Sequence, residues 1–170
     1  MTDRADLSEA AEINAALGAM DLPATLGEFI AERAATLGDQ VAADWFEDQR
    51  RLSYRQLDKD ANRLASSLVP LGIRKGTHVA VMLPNTPETL ITWTALARIG
   101  AVMVPVNTRY TANELDFVLN DSDSQFVVMD EQFVAVLANV PNRPAMITDE
   151  NVIVIGEPGA TMRSFSKLLA

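Results

Sequence analysis

Residues 79–107 read VAVMLPNTPETLITWTALARIGAVMVPVN and contain a strand, a helix and a second strand in that order. Val79–Leu83 is a continuous apolar run, which is typical of a parallel strand covered on both faces. Thr86 and Pro87 combine an N-cap residue with a proline at the first helical position. Gly100 ends the helix, and Ala101–Val106 is the next apolar run, interpreted as a second buried strand. This stretch predicts a βαβ unit in a parallel sheet.

The alternation of strands and helices continues toward the C-terminus. Thr111 and Glu114 form a capping box that opens another helix. The later elements are expected to be a strand, a short helix, two strands and a last helix, at Phe126–Met129, Glu131–Ala138, Ala145–Thr148, Val152–Ile155 and Ser164–Leu169. The sequence therefore predicts an α/β fold, with a mainly parallel sheet flanked by helices.

A helix, a short antiparallel hairpin and a second helix are expected before this sheet. Capping boxes at Thr25/Glu28 and Ser53/Gln56 open the two helices, and the hairpin strands are Val41–Phe46 and Arg51–Tyr54. The second helix has one apolar face and ends near Pro70; the face consists of Leu57, Ala61, Leu64, Ala65 and Leu68. We expect a loosely ordered arm over residues 1–22 and an incomplete α/β domain over residues 23–170.

Composition and charge exclude several function classes. The 170 residues include no cysteine and one histidine, which excludes disulfides, thiolate zinc sites and multi-histidine metal sites. No signal peptide and no transmembrane run is found, so we expect a cytoplasmic protein. Residues 51–110 hold 8 basic and 3 acidic side chains (8 − 3 = +5) in a chain of net charge −9. Because Arg55, Lys59 and Arg63 recur every four residues, a solvated helix face is favoured over an anion or nucleic-acid site.

Four segments in register carry a family resemblance. The chain resembles the N-terminal part of adenylate-forming (AMP-binding) enzymes in the segments Leu52–Leu57, Gly72–Gly76, Val79–Asn85 and Ala97–Asn107. The continuation Thr108–Leu115 is more similar to the acyl-CoA synthetase branch than to the peptide-synthetase branch. The resemblance covers about Leu26–Asp130 and implies that the chain forms part of the large domain of that fold.

The resemblance also implies what a complete enzyme would do. Such an enzyme activates a carboxylic acid with ATP and Mg2+ and then transfers the acyl group to coenzyme A. The phosphate loop of the family is rich in Ser, Thr and Gly, and no matching loop occurs here; Gly156–Gly159 instead carries the carboxylate of Glu157. We therefore expect no cofactor and no catalytic residue in this chain alone. Its expected partner is the rest of a synthetase chain, with the phosphate loop and the C-terminal domain.

Candidate site residues are few. Asn107, Thr108 and Arg109 follow a strand of the predicted parallel sheet, where open α/β sheets bind ligands, so this loop faces either a ligand, an interface or solvent. Two acidic pairs, Asp58/Asp60 and Asp121/Asp123, are interpreted as helix-surface and turn residues and not as metal ligands. His78 is interpreted as a residue at a strand edge. We predict no metal site, and the identity of the carboxylic acid is left open.

Two alternatives are left open, namely a non-catalytic interaction module or inactive short paralogue of the same fold, and an independent flavodoxin-like domain. Trp45 and Trp93 are assigned to core packing, and the alternative of an apolar substrate tunnel, which would use similar residues, is left open. Val81–Leu83 and Val152–Ile155 are patterned for cover on both faces, and part of this cover is expected from residues beyond the chain. An isolated chain is then expected to expose apolar surface, to bind hydrophobic dyes or to self-associate.

Overall fold

The computed structural model describes residues 11–16, 18–20 and 23–170. The arm expected over residues 1–22 therefore lies partly outside the described residues. Residues 11–16 are helical and exposed to solvent. The architecture below begins at residue 23, so the predicted division of the chain at residue 22 stays a prediction.

The N-terminal part consists of helix α1 (Leu26–Leu37), a hairpin of β1 (Val41–Trp45) and β2 (Arg50–Ser53), and helix α2 (Tyr54–Leu68). The two strands pair antiparallel. The predicted apolar face of α2 is buried along its whole length. After α2, a 3-10 turn contains the expected proline and ends at Gly72 in the left-handed conformation. The helix, hairpin and helix predicted here are confirmed.

Five parallel strands form the main sheet in the order β4-β3-β5-β6-β7. The elements that follow α2 are β3 (His78–Met82), α3 (Pro87–Arg98), β4 (Val102–Pro105), α4 (Ala112–Asp121), β5 (Phe126–Asp130), α5 (Val134–Ala138), β6 (Val152–Ile155), β7 (Arg163–Ser164) and α6 (Phe165–Leu169). This arrangement confirms the predicted α/β fold, with a mainly parallel sheet, flanking helices and a small hairpin.

Each face of the sheet carries its own apolar core. Because side chains alternate along a strand, Val79 and Val81 point to one face while Ala80 and Met82 point to the other. The first face packs against α1, α2, α3 and α6, and the second packs against α4 and α5. Chain segments of this protein thus cover β3, β5 and β6 on both faces. The expectation that Val81–Leu83 and Val152–Ile155 need cover from elsewhere is wrong, because α2, α3, α4, α5 and α6 supply it.

Helix caps agree with the sequence signals in part. At α4, Thr111 accepts a hydrogen bond from the Glu114 N–H, and the Glu114 carboxylate accepts from the Thr111 N–H at 2.8 Å, so the full box forms. At α1 and α2, Thr25 and Ser53 accept the expected N–H bonds, from Glu28 and Gln56. The reciprocal half of each box is absent from the described hydrogen bonds. The Gln56 side chain instead donates to Asp60.

Two predictions in the C-terminal part are wrong. Residues 145–148 form no strand, because Pro144 starts a turn that the Ile147 N–H closes onto the Pro144 carbonyl. Only Ile147 is buried there, and Met146 is exposed. Strand β7, which has two residues and pairs with β6, was not expected. A two-residue strand is too short to show a period-two pattern.

Two further predictions fail at the β4 side of the sheet. The strand expected as buried over Ala101–Val106 is the half-exposed edge strand β4, and it pairs only with β3 among the described strands. The assignment of Trp93 to the core is also wrong, because its position on α3 leaves it 48% exposed. Both failures have one cause, since no described element lies beyond β4.

Candidate functional site at the carboxyl edge of the sheet

The predicted loop Asn107–Arg109 lies just beyond the C-terminal end of β4. The Asn107 side-chain carbonyl accepts a hydrogen bond from the Arg109 N–H at 2.9 Å, and the Asn107 main-chain carbonyl accepts from the Tyr110 N–H at 3.1 Å. These two bonds close a turn that the asparagine stabilises. Asn107 and Arg109 are exposed and Thr108 is half-buried. Among the described residues, the Arg109 guanidinium forms no hydrogen bond and no ion pair.

An ion pair joins the hairpin to the helix that follows β3. Arg50 of the hairpin donates two hydrogen bonds to the Glu88 carboxylate, at 2.5 and 3.2 Å, and so fastens β2 to the first turn of α3. Burial alone would raise the pKa of Glu88, but the bonds from Arg50 and from backbone and Thr86 donors lower the pKa below its ordinary value of 4.5. The same pairing raises the pKa of Arg50. Sequence reasoning missed this pair because its members are 38 residues apart.

A shallow apolar groove runs between the hairpin, α3 and β4. Its aromatic walls are Trp45 and Trp93, and Leu90 and Met103 lie between them. Asn85 contributes the polar end, where its side-chain carbonyl accepts a 3.4 Å hydrogen bond from the Trp45 indole N–H. The groove has no charged side chain other than Asp44 among its lining residues. Its chemistry is that of a contact surface for apolar groups.

The acidic pairs form no metal centre in the described part of the chain, where no group of three His, Cys, Asp or Glu side chains could hold an ion. Asp58 is ion-paired with Arg98 at 2.8 Å, whereas Asp60 is buried and accepts from Gln56. Asp121 ends α4, and Asp123 adopts a positive φ of 50° in the turn that follows.

His78 begins β3, as interpreted from the sequence. Its Nδ1 lies 2.5 Å from the Ser122 carbonyl oxygen. A carbonyl oxygen only accepts hydrogen bonds, so Nδ1 carries the proton and donates it to Ser122. This contact ties the start of β3 to the turn after α4, which is a structural role.

The glycine-rich turn after β6 belongs to the same carboxyl edge. Gly156 has a positive φ of 101°, and a Cβ there would overlap the Glu131 side chain. The Glu131 carboxylate accepts a hydrogen bond from the Glu157 N–H at 2.5 Å. The Glu157 N–H is therefore already bonded to the Glu131 carboxylate and is not available to a phosphate. This turn therefore does not fit a triphosphate.

A family model described as AMP-binding enzyme matches residues 30–165. The chain belongs to the AMP-binding enzyme family. The match spans α1 to the start of α6 and therefore includes the hairpin, both cores and every candidate site residue. CoA ligases among the relatives confirm the predicted acyl-CoA ligase branch.

Several relatives of the chain are named as acid–CoA ligases. The chain is 43% identical over 84 residues to the crotonobetaine/carnitine–CoA ligase of Proteus mirabilis (strain HI4320), which covers 49% of this chain and 16% of that enzyme. The solved N-terminal domain of FACL13 from Mycobacterium tuberculosis is similar at 30% identity and a TM-score of 0.74, over 86% of this chain and 36% of that one. The anthranilate CoA ligase AuaEII in complex with anthranoyl-AMP is similar at 25% identity and a TM-score of 0.76, over 88% of this chain and 29% of that one.

The chain is therefore much shorter than the proteins it resembles. It spans about a sixth of the curated ligase and about a third of a solved N-terminal domain. Within the described residues, every helix falls short of the length and apolarity that crossing a lipid bilayer requires.

Proposed function

We propose that this chain is the N-terminal scaffold segment of an acid–CoA ligase. The complete enzyme would form an acyl-adenylate from a carboxylic acid and ATP with Mg2+, and would then form a thioester with coenzyme A. The observation that carries the proposal is the match of residues 30–165 to the AMP-binding enzyme family, together with CoA ligases among the relatives. A cytoplasmic location belongs to the same proposal.

Within that enzyme, the segment supplies framework and not reacting groups. Catalysis of adenylation depends on positioning and charge stabilisation of a triphosphate. The described residues offer neither a metal-binding cluster nor a free glycine-rich donor loop. Asn107, Thr108 and Arg109 are the candidate contacts to a ligand or to the remaining domain, since they extend from the carboxyl edge. Relatives named for carnitine and for anthranilate share this segment, so selection of the carboxylic acid is assigned to parts of the complete enzyme outside it.

The test is carboxylate-dependent ATP–pyrophosphate exchange by the purified 170-residue chain. We expect no exchange by this chain. The complete P. mirabilis ligase, assayed with carnitine under the same conditions, is the positive control and should show exchange. Exchange by the isolated chain would contradict the scaffold role, because a segment without a triphosphate site cannot form an acyl-adenylate.

A non-catalytic interaction module is the second candidate, and one observation favours it. The central strands are covered on both faces by this chain's own helices, as an autonomous folding unit requires. The genomic reading frame beyond codon 170 separates the two candidates. A Ser/Thr/Gly-rich loop in frame would support the ligase segment, and a stop codon with separate expression of the short protein would support the module.

A further inference from the structure

We propose that the exposed face of helix α4 is a self-association surface, on which a second copy of this chain packs antiparallel with Phe117 near the two-fold axis. The face is defined by Asn113, Phe117 and Asp121, which recur every four residues and therefore lie in one row along the helix. All three residues are exposed. The inference is independent of the proposed function, because pairing of two copies neither requires nor excludes a role in acid activation.

The centre of this face is an aromatic ring that no described residue covers. Phe117 is 68% exposed, and it separates two shallow recesses on the surface of α4. Tyr110 and Val118 line one of these recesses, so the apolar surface extends beyond the single ring. An aromatic side chain beside a recess can interlock with a copy of itself, because each ring then fills the recess of the other molecule.

The polar groups of this face are without partners, whereas the groups beside them are bonded. The Asp116 carboxylate accepts hydrogen bonds from the Asn142 N–H at 3.1 Å and from the Asn142 side-chain amide at 3.0 Å. The Asn120 side-chain amide donates to Asp116 and to the Asn142 carbonyl. Among the described residues, no hydrogen bond and no ion pair engages the side chains of Asn113 and Asp121. One amide and one carboxylate therefore remain available to a partner.

The helix spacing favours an antiparallel pair. Phe117 lies midway between Asn113 and Asp121, about one helical turn from each. A two-fold axis near Phe117 therefore brings Asn113 of each copy beside the partner's Asp121, and the amide can donate to the carboxylate at two equivalent contacts. A parallel pair would instead place the two Asp121 carboxylates side by side, which charge repulsion disfavours.

The charges at the two ends of α4 favour the same arrangement. Arg109 precedes the helix, is exposed and forms no hydrogen bond through its guanidinium and no ion pair among the described residues. Asp121 and Asp123 lie exposed at the C-terminal end of the helix. Antiparallel pairing brings the basic end of each helix to the acidic end of the other, and the two helix dipoles then run in opposite directions.

Three other open surfaces of the described residues are less suited to a second copy. Phe46 is 80% exposed at the hairpin turn, but its charged neighbours Asp44 and Arg51 already pair with each other at 2.9 Å. The edge strand β4 includes Pro105, which has no N–H to donate and so protects the edge. Strand β7 has only two residues, which is too short to template a further strand.

Sedimentation equilibrium of the 170-residue chain tests the pairing. Each copy carries a net charge of −9, so the buffer contains about 0.15 M salt, at which a Debye length of about 8 Å screens long-range repulsion. A face one helix wide is small for a stable dimer, so concentrations from about 10 μM to about 1 mM are needed. We expect a reversible monomer–dimer equilibrium in this range. A chain that stays monomeric throughout would overturn the proposal and leave the face to solvent or to another polypeptide.

Two phenylalanine variants separate this surface from the hairpin turn. Phe117→Glu places two carboxylates close to the two-fold axis and should weaken the dimer at least about tenfold. Phe46→Glu adds the same charge at a more exposed phenylalanine and should leave the dissociation constant unchanged within about twofold. Circular dichroism and denaturation midpoints confirm that each variant is folded. Equal weakening by both variants would indicate general charge repulsion and would contradict the α4 surface.

Exchange of the amide and the carboxylate tests the register. Asn113→Asp places a carboxylate opposite the partner's Asp121 at both contacts and should weaken the dimer about tenfold. The double variant Asn113→Asp/Asp121→Asn has the native net charge and again pairs one amide with one carboxylate at each contact. Its dissociation constant should return to within about threefold of the native value. A double variant that binds as weakly as Asn113→Asp alone would overturn the antiparallel pairing.

Discussion

Strands β3 and β4 lie side by side in parallel and are both rich in valine and methionine, but only β3 is buried, from Val79 to Met82. β3 has a strand on each side and helices on both faces. Among the described strands, β4 pairs with β3 alone, and none lies along its outer edge. The burial of a strand in this protein is thus decided by its place in the sheet more than by its own residues.

The largest expected difference between the two strands is in their methionines. Met82 on β3 is fully buried, and Met82→Ala should lower the free energy of unfolding by about 3 kcal/mol, because it removes buried methylenes and leaves a cavity. Met103 on β4 is only partly buried, so Met103→Ala should cost less than about 1 kcal/mol. Chemical denaturation measures both. Equal losses would show that the β4 side is covered as tightly as the centre.

The second comparison concerns two arginines, one inside the helical layer and one on the carboxyl-edge loop. Arg98 bonds Asp58, Asn62 and the Gly27 carbonyl, and so ties α3 to α2 and α1. Arg98→Ala leaves the partly buried Asp58 carboxylate without its cation, which should cost about 2 kcal/mol.

The control is Arg109→Ala, which should leave the unfolding free energy unchanged within about 0.5 kcal/mol because its side chain is exposed. Urea denaturation of the two variants tests both values. A clear destabilisation by Arg109→Ala would reveal a structural contact and would weaken the view of Arg109 as a residue free to meet a ligand or a domain.

Local sequence signals predicted the parts of the fold that depend on a few neighbouring residues. The Thr111–Glu114 box, the proline after Thr86 and the glycine turns act through backbone groups within four residues. The order of the elements from α1 to α5 therefore follows from the sequence. The burial of the central strands was also predicted, because uninterrupted apolar runs are typical of parallel strands covered on both faces.

The features that the sequence did not predict depend on lateral position or on distant partners. The edge location of β4 is set by the strand order, which the βαβ rule leaves open among several arrangements. The exposure of Trp93 follows from that edge. Arg50 and Glu88 meet because the hairpin folds onto α3, and no local spacing encodes that contact. The candidate loop at Asn107 was found only because strand ends in parallel sheets are sites of ligand binding.

Gly100 lies between helix α3, which covers β3, and the edge strand β4. Substitutions at Gly100 test how firmly this junction holds β4. Its φ is +71°, and its carbonyl accepts a 2.9 Å hydrogen bond from the Gly76 N–H. A Cβ there would lie 3.1 Å from the Lys75 Cγ. Gly100→Val should lower the unfolding free energy by at least about 1–2 kcal/mol, because left-handed backbone is strained for a β-branched residue.

Gly100→Asn should be milder than Gly100→Val, since asparagine tolerates the left-handed region. Denaturation midpoints of the three proteins decide the question. Equal midpoints would mean that the junction relaxes to ordinary angles, and β4 would then be held less firmly than its hydrogen bonds to β3 indicate.

The smallest effect concerns Glu88, which anchors the hairpin at the groove beside β4. Its folded-state pKa lies below the ordinary value of 4.5, so the carboxylate stabilises the fold above that value, and this stability is lost as the pH falls through the folded-state pKa.

At neutral pH, Glu88→Gln should lower the free energy of unfolding by about 1 kcal/mol. This value is modest because the Arg50 side chain is 47% exposed and solvent screens the pair. The difference between the native and variant unfolding free energies should shrink as the pH falls below about 4.5. Glu47→Gln, which removes an exposed carboxylate from the hairpin turn, is the control. Unfolding free energies measured between pH 7 and pH 3 test this. A gap between the native protein and the Glu88→Gln variant that widens on acidification would mean that Arg50 does not hold the ionised form, and the hairpin would then owe its position to Trp45 and the apolar groove alone.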